Sequence, residues 1–446
     1  MAFVDKPDVF TRLWKTRLLN VAHLLSGNYL NVGFVLISTV IAARALGPSD
    51  YGVMVMVMAY CRLVARVMRF ESWQPLIKYA AGLGHEESPQ IKSQLYAFGL
   101  ALDVGASVLA AVTAVLLGAV WVSFTGLDSG TMQLVAIYAV AVAFSITGMP
   151  TAVFRLAGKF KTIAYTNLFG AILRIPLAVA AYYTGAGILG FMVVWVVTEV
   201  LSSLLFLGLA FRQLRRDGIP SLFHARLKGV LSRFPGILGF AWSTNLSMTL
   251  RTMTQELDVL IVGALTDSAS AGLYHVAKRI AKAAQQVGAQ VQAVLYPDLA
   301  RNWAQSDFRA FSAAVFQTQI GLAGVGLAMF AVLYLTGQWL IEVGPGDSFM
   351  GAYPLLMVQM VAILLTMHAA PARSALLAMG RPRAELLNAA LSTAAFLAVA
   401  FMTIPAMGAM GANVAHIALG LVSAVILDVI WIRSIRKRRD TPASAE

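Results

Sequence analysis

A single cysteine, Cys61, stands in 446 residues, so the chain can close no internal disulfide and cannot build a thiolate zinc site. Its six histidines, at 23, 85, 224, 275, 368 and 416, never fall at a ligand spacing such as i, i+4, and neither a metal centre nor any other cofactor is expected. No Gly-Lys-Ser/Thr phosphate loop occurs, which argues against ATP hydrolysis. The stretch 185–190, Gly-Ala-Gly-Ile-Leu-Gly, spells a dinucleotide fingerprint. It joins two apolar runs, not a strand to a helix, and therefore reads as a tight hairpin. Charge is scarce as well: 12% of residues are Asp, Glu, Lys or Arg, where a soluble domain carries roughly a quarter. An ordinary soluble enzyme is excluded.

What fills the chain is apolar. Fifty-nine percent of the residues are hydrophobic and the mean hydropathy is +0.74. Twelve bilayer crossings of about 20 residues each use about 240 residues, close to the whole apolar complement. The predicted fold class is an all-α polytopic membrane protein with about 12 transmembrane helices. The spans read as 22–43, 52–72, 95–121, 132–153, 163–184, 188–210, 236–264, 271–296, 312–336, 352–372, 385–405 and 411–432. The first twenty residues interleave Lys6, Arg12, Lys15 and Arg17 with Phe10, Leu13, Trp14 and Leu18 and lack the cleavable core of a secretory signal. They read as an interfacial amphipathic helix.

The net charge of +13 would suggest nucleic acid in a soluble protein; in a polytopic chain it reads as basic cytoplasmic loops, with no nucleic-acid partner. Seven alternate segments, from 1–20 to 433–439, hold 28 of the 34 lysines and arginines. The positive-inside rule then puts both termini in the cytosol of a multi-pass protein in the bacterial cytoplasmic (inner) membrane. The outer loops are short, the longest about 15 residues around 338–350, so a catalytic outer domain is not expected. The one long inner connection, 212–234, places Leu227, Val230, Leu231 and Phe234 at helical spacing among Arg226, Lys228 and Arg233. It reads as an amphipathic surface linker.

An internal repeat organises the rest. Ala45 and Leu46 open a loop of Ala-Leu-Gly-Pro-Ser-Asp-Tyr-Gly, and Ala264 and Leu265, 219 positions on, open Ala-Leu-Thr-Asp-Ser-Ala-Ser-Ala-Gly-Leu-Tyr. Pro150, Arg155, Gly158, Lys159 and Lys161 are echoed by Pro371, Arg373, Gly380, Arg381 and Arg383 at nearly the same offset. The expected organisation is an N-terminal six-helix bundle over 1–211, the linker 212–234, a C-terminal six-helix bundle over 235–433 and a basic tail over 434–446. Two repeated bundles related by an axis along the membrane normal leave a central cavity between them.

The loop at 44–52, Arg-Ala-Leu-Gly-Pro-Ser-Asp-Tyr-Gly, the basic hairpin Gly158, Lys159, Phe160 and Lys161, and the duplicated plan resemble the oligosaccharide-lipid (O-antigen and polysaccharide) flippases. These belong to the multidrug/oligosaccharidyl-lipid/polysaccharide exporter superfamily. The resemblance implies a non-enzymatic flippase that carries a polyprenyl-pyrophosphate-linked oligosaccharide from inner to outer leaflet by alternating access. It also implies membrane lipids and polysaccharide assembly proteins as partners. A drug or cation exporter of the same superfamily and a membrane glycan ligase or polymerase stand as the alternatives. The first calls for acidic pocket residues and the second for a sizeable outer loop.

Charges inside spans carry the site reading, because each costs roughly 2.5–3.5 kcal/mol unless it faces water or a partner. Arg62, Arg66 and Arg69 lie at i, i+4 and i+7 of span two, and Lys278 and Lys282, with Arg279 beside them, occupy span eight. Either these faces bind a pyrophosphate head group, through guanidinium forks and ammonium charge, or they snorkel to the surface as ordinary anchors. Span seven adds Arg251, Glu256 and Asp258. Arg251 reads as a phosphate contact or as the partner of an acid; Asp258 and Glu256 are the candidates for proton coupling. Arg44, at the outer mouth of span one, is a release-side contact or an interfacial anchor. Asp103, Arg174, Glu199 and Asp428 are isolated intramembrane charges whose partners the sequence does not identify.

Overall fold

A computed structural model describes residues 7–70, 72–83 and 88–439; the side chains of 7–29, of Arg251 and of a few further positions lie outside that description. The chain is helical throughout and contains no strand among the described residues. Its helices are α1 (Pro7–Met68), α2 (Trp73–Gly82), α3 (Pro89–Thr125), α4 (Thr131–Ala143), α5 (Gly148–Leu156), α6 (Phe160–Tyr183) and α7 (Gly187–Arg216). They continue as α8 (Val230–Arg233), α9 (Ile237–Thr252), α10 (Thr254–Leu265), α11 (Ser268–Ala304), α12 (Phe308–Val343), α13 (Ala352–Ala378), α14 (Pro382–Met407) and α15 (Ala409–Arg439). In the described residues nine helical segments are long and apolar enough to cross a bilayer. With backbone polar groups paired inside each helix, this is the arrangement lipid tolerates.

The difference from twelve spans has a physical origin. The first segment, Leu30–Gly82, runs through a bend and contains two predicted spans. At that bend Gly47 adopts φ 70° and ψ 174°, a backbone region that only glycine enters cheaply, and Pro48 starts the second helix, where its missing N–H costs nothing. The seventh predicted span is divided at Met253 into α9 and α10, neither long enough alone. The eighth becomes part of the 37-residue α11, in which Lys278, Arg279 and Lys282 and four glutamines dilute the apolar run. Large side chains such as Leu116, Phe124, Leu335 and Met402 stay 71–80% exposed on the helix exteriors, as lipid-facing positions do.

The chain divides into two compact units: Met1–Ser38, Cys61–Trp121 and Ser129–Thr249 form the first, and Thr39–Tyr60, Val122–Asp128 and Leu250–Glu446 the second. The repeat is visible in the helix starts. Pro89 and Phe308, Thr131 and Ala352, Phe160 and Pro382, and Gly187 and Ala409 are separated by 219 to 222 residues. Within the second unit the two repeat-related loops touch reciprocally. Ser49 and Ser268, 219 positions apart, share a hydrogen bond of 3.2 Å between their hydroxyls. A Cβ on Gly52 would strike the Ser268 carbonyl, and a Cβ on Gly272 would strike the Pro48 carbonyl. Contact of residue i with j′ and of i′ with j is what a local two-fold axis produces, and glycines allow the two backbones to approach.

The core of the first unit gathers Leu76, Leu95, Met149, Phe154, Phe206 and Leu214. The connection 212–234 joins it. It is not one helix, because Pro220, Gly229 and Pro235 interrupt it; a 3-10 turn at Leu222–His224 and the single turn of α8 remain. Leu222, Val230 and Phe234 are buried in that core while Leu227 and Leu231 stay exposed. The Tyr79 hydroxyl donates to the Pro235 carbonyl at 2.6 Å. The second unit packs Leu299, Phe311, Val315, Leu376, Leu427 and Trp431. On the side that the charge pattern assigns to the outside, α12 runs to Val343 and leaves only 344–351 before α13, shorter than the 15 residues expected.

Candidate functional site: a polar cavity in the second unit

A hollow of about 700 Å³ lies wholly inside the second unit, between α10, α11, α13, α14 and α15. Lys278 and Lys282 line it, as does Gln255, which follows from α11 presenting i and i+4 on one face. The predicted pair is thus brought to one cavity. Their surroundings differ. The Lys278 ammonium donates to both oxygens of Asp258, at 2.8 and 2.7 Å, and to the Gln255 carbonyl at 2.5 Å. Lys282 lies 3.4 Å from the Gln255 side-chain oxygen and is exposed to the hollow.

Asp258 is the hub of this arrangement and is fully buried. Besides Lys278, its carboxylate accepts from the Tyr274 hydroxyl at 2.9 Å and from its neighbour's Val259 N–H at 2.7 Å, and it sits 2.9 Å from His416 Nε2. Three helices, α10, α11 and α15, are therefore tied by one carboxylate. A buried acid survives at such a depth only when each lone pair is satisfied. A second ion pair, Arg373 with Glu385 at 3.5 Å, borders the same hollow. Glu256 is half-buried and outside the lining, and so is Arg279. The side chain of Arg251 lies outside the described residues.

In the first unit Arg62 and Arg66 lie near the C-terminal end of α1, and the Arg69 N–H still donates to the Ala65 carbonyl at 2.9 Å. Helix α1 ends at Met68, so Arg69 sits just beyond it. Its guanidinium donates to the Ser145 hydroxyl and borders a smaller hollow of about 220 Å³ with Asp103 and Arg155. The Arg66 carbonyl accepts from the Thr249 hydroxyl at 3.2 Å, and Arg62 lies within electrostatic reach of Tyr138 and Arg174. Arg44, within the second unit, donates to the Val343 and Gly344 carbonyls at 2.7 and 3.3 Å. It thereby caps the C-terminus of α12, where the helix dipole favours a cation.

The isolated charges now have partners. Asp103 accepts from Ser72 at 2.5 Å and from the Met149 N–H at 2.6 Å. Arg174 lies 3.9 Å from Glu199, which also accepts from Tyr138 at 3.1 Å. Asp428 holds His368, Gln319 and the Trp431 indole, each at 2.9 Å. Sequence reasoning missed His416, Tyr274, Arg373 and Glu385 as neighbours of the cavity. It tested the histidines only for metal spacing, and Asp258 and His416 are 158 positions apart.

Residues 41–354 match the family described as polysaccharide biosynthesis protein. The chain belongs to that family. Among the relatives of this polysaccharide biosynthesis protein is the inner membrane protein YghQ of Escherichia coli (strain K12), 25% identical over 345 residues, which span 77% of this chain and 96% of YghQ. Two solved structures show the shared fold. The lipid II flippase MurJ, inward closed, superposes with a TM-score of 0.74 at 14% identity, covering 93% of this chain and 89% of its own. An inward-facing multidrug resistance transporter of the MATE family, in the MOP superfamily, gives 0.73 at 13% identity, covering 95% and 100%. The polysaccharide biosynthesis family member described here is accordingly a polytopic helical membrane protein with the fold of transporters and flippases.

Proposed function

We propose that this protein is a flippase that carries a polyprenyl-pyrophosphate-linked oligosaccharide from the inner to the outer leaflet of the inner membrane, with both termini in the cytosol and without an enzymatic step. One observation carries the reading. A polar hollow of about 700 Å³ in the second unit holds two lysines, Lys278 and Lys282, in a family whose members serve polysaccharide biosynthesis. Asp258 pairs with the Lys278 ammonium at 2.7 Å. A diphosphate entering the hollow meets Lys282 first and then shares Lys278 with that carboxylate. Asp258, and after it Glu256, are the acids on which a proton can ride. Arg62, Arg66 and Arg69 form the corresponding basic element of the N-terminal bundle. Arg44, Arg251 and Arg279 are secondary contacts.

Carriage proceeds by alternating access, with the N-terminal bundle, 1–211, and the C-terminal bundle, 235–433, as the repeated bodies. The polyprenyl tail stays in lipid, and assembly proteins of the pathway supply and remove the cargo. An inside-negative potential of about 100 mV moves an anion of about −2 outward with roughly 4.6 kcal/mol, at about 2.3 kcal/mol per charge. No nucleotide is required.

The fold likeness to a multidrug transporter favours export of an organic cation as the second reading. Against it, the buried Asp258 already holds Lys278, and Glu385, the acid in the hollow's lining, already holds Arg373. A glycan ligase or polymerase would need catalytic side chains on an outer loop, and the connections at 184–186, 266–267 and 344–351 are brief. Changing Lys278 and Lys282 together to Ala is expected to abolish export and to strand lipid-linked repeat units in the cytoplasmic leaflet while the protein still inserts. Retained export would remove the lysine site; unligated glycan accumulating outside would point to the enzyme.

A further inference from the structure

The walls of the large hollow are richer in amides and hydroxyls than in charge. Gln359 and Ser374 on α13 and Asn388 and Ser392 on α14 all line it. On α14 these groups are already organised: Asn388 donates to the Ser423 hydroxyl at 3.1 Å, and Ser392 donates to the Asn388 oxygen at 3.4 Å. On α13 they are not. The Gln359 side-chain oxygen and the Ser374 hydroxyl have no hydrogen-bond partner, although Gln359 is 7% exposed and Ser374 1%. Buried polar atoms are almost always bonded, so these two groups, on side chains that line the hollow about four helical turns apart, are open to a polar ligand.

From this we infer that the hollow is a carbohydrate subsite, in which Gln359 and Ser374 receive sugar hydroxyls of the cargo and Lys282 marks the diphosphate end. The inference rests on the flippase reading and deepens it. An amide oxygen accepts from a sugar O–H, and a serine hydroxyl both donates and accepts, so neutral, hydroxyl-rich rings satisfy the wall where an acyl chain or an inorganic ion does not. The Tyr296 ring on the rim offers an apolar face to the C–H side of a sugar. A hollow of about 700 Å³ falls in the range of small-molecule sites, about 300–1,000 Å³. Sites built to bond a substrate hydroxyl discriminate strongly against analogues lacking it.

The test uses the full chain in detergent and two probes: undecaprenyl diphosphate without sugar, and the lipid-linked oligosaccharide fraction extracted from the cells that make the protein. Wild type should bind the sugar-bearing fraction more tightly. The double variant Gln359→Leu with Ser374→Ala should lose about tenfold or more of that affinity and bind the sugar-free probe as before, which also reports that it is folded. Ser374→Ala alone, a minimal change, should show a smaller loss confined to the same probe. A double variant that keeps the preference, or that loses both probes equally, overturns the subsite and leaves the flippase reading standing. A wild type that does not distinguish the probes also overturns the subsite. A wild type that binds neither overturns the flippase reading itself.

Discussion

Asp103 in the first unit and Asp258 in the second are buried in unlike company, and the contrast separates architecture from function. In the first unit Asp103 is satisfied by neutral donors, the Ser72 hydroxyl and the Met149 N–H at the start of α5. Its Arg69 and Arg155 neighbours are occupied by Ser145 and by the Trp73 ring. The adjoining hollow is small, about 220 Å³. In the second unit Asp258 is satisfied by Lys278, His416 and Tyr274 on two other helices, beside a hollow about three times larger. A carboxylate held by neutral groups of fixed geometry braces a helix end. One held by a cation that also faces a hollow can give up that cation to a ligand, which is how intramembrane charges serve transport.

Breaking the second arrangement should cost the most. Lys278→Ala leaves the Asp258 carboxylate buried without its ammonium and is expected to destabilise the protein by roughly 3–5 kcal/mol, read as a lowered thermal midpoint in detergent, with export lost. Adding Asp258→Asn should recover most of the stability and none of the export. Recovery of both would make the pair merely structural. In the first unit Asp103→Ala removes the acceptor from Ser72 and Met149 at a cost of about 1–3 kcal/mol; the protein that remains folded should bind undecaprenyl diphosphate as wild type does. Weakened binding would make the units alike after all. Smallest is Arg44→Ala, which uncaps α12 for about 0.3–1 kcal/mol and should lower export only slightly. A full loss of export there would make Arg44 a principal release-side contact and not a secondary one.

Much of the fold was legible because bilayer physics writes long apolar runs and asymmetric basic loops into the chain. The repeat was legible from two short echoes, and the helix starts from Pro89 to Ala409 repeat at the same interval. Where reading failed, a short-range rule met a long-range contact. Of the apolar residues at helical spacing in 212–234, Val230 and Phe234 enter the core of the first unit while Leu227 and Leu231 stay exposed, a division that spacing alone does not show. In the hollow, the lysines stood out as charges in an apolar span. Gln359 and Ser374, neutral and fifteen positions apart on α13, carry no such signal, and the Asp258 partners on α11 and α15 are joined to it only by tertiary packing.

Lys282 gives the cleanest single test, since it lines the hollow and the buried Asp258 keeps its bonds to Lys278, Tyr274 and His416 without it. Titration of the purified wild type and of Lys282→Ala with undecaprenyl diphosphate should show affinity falling about tenfold, one charge-assisted contact's worth. Equal affinities for the two proteins would contradict the proposal that the cations of this cavity receive the head group.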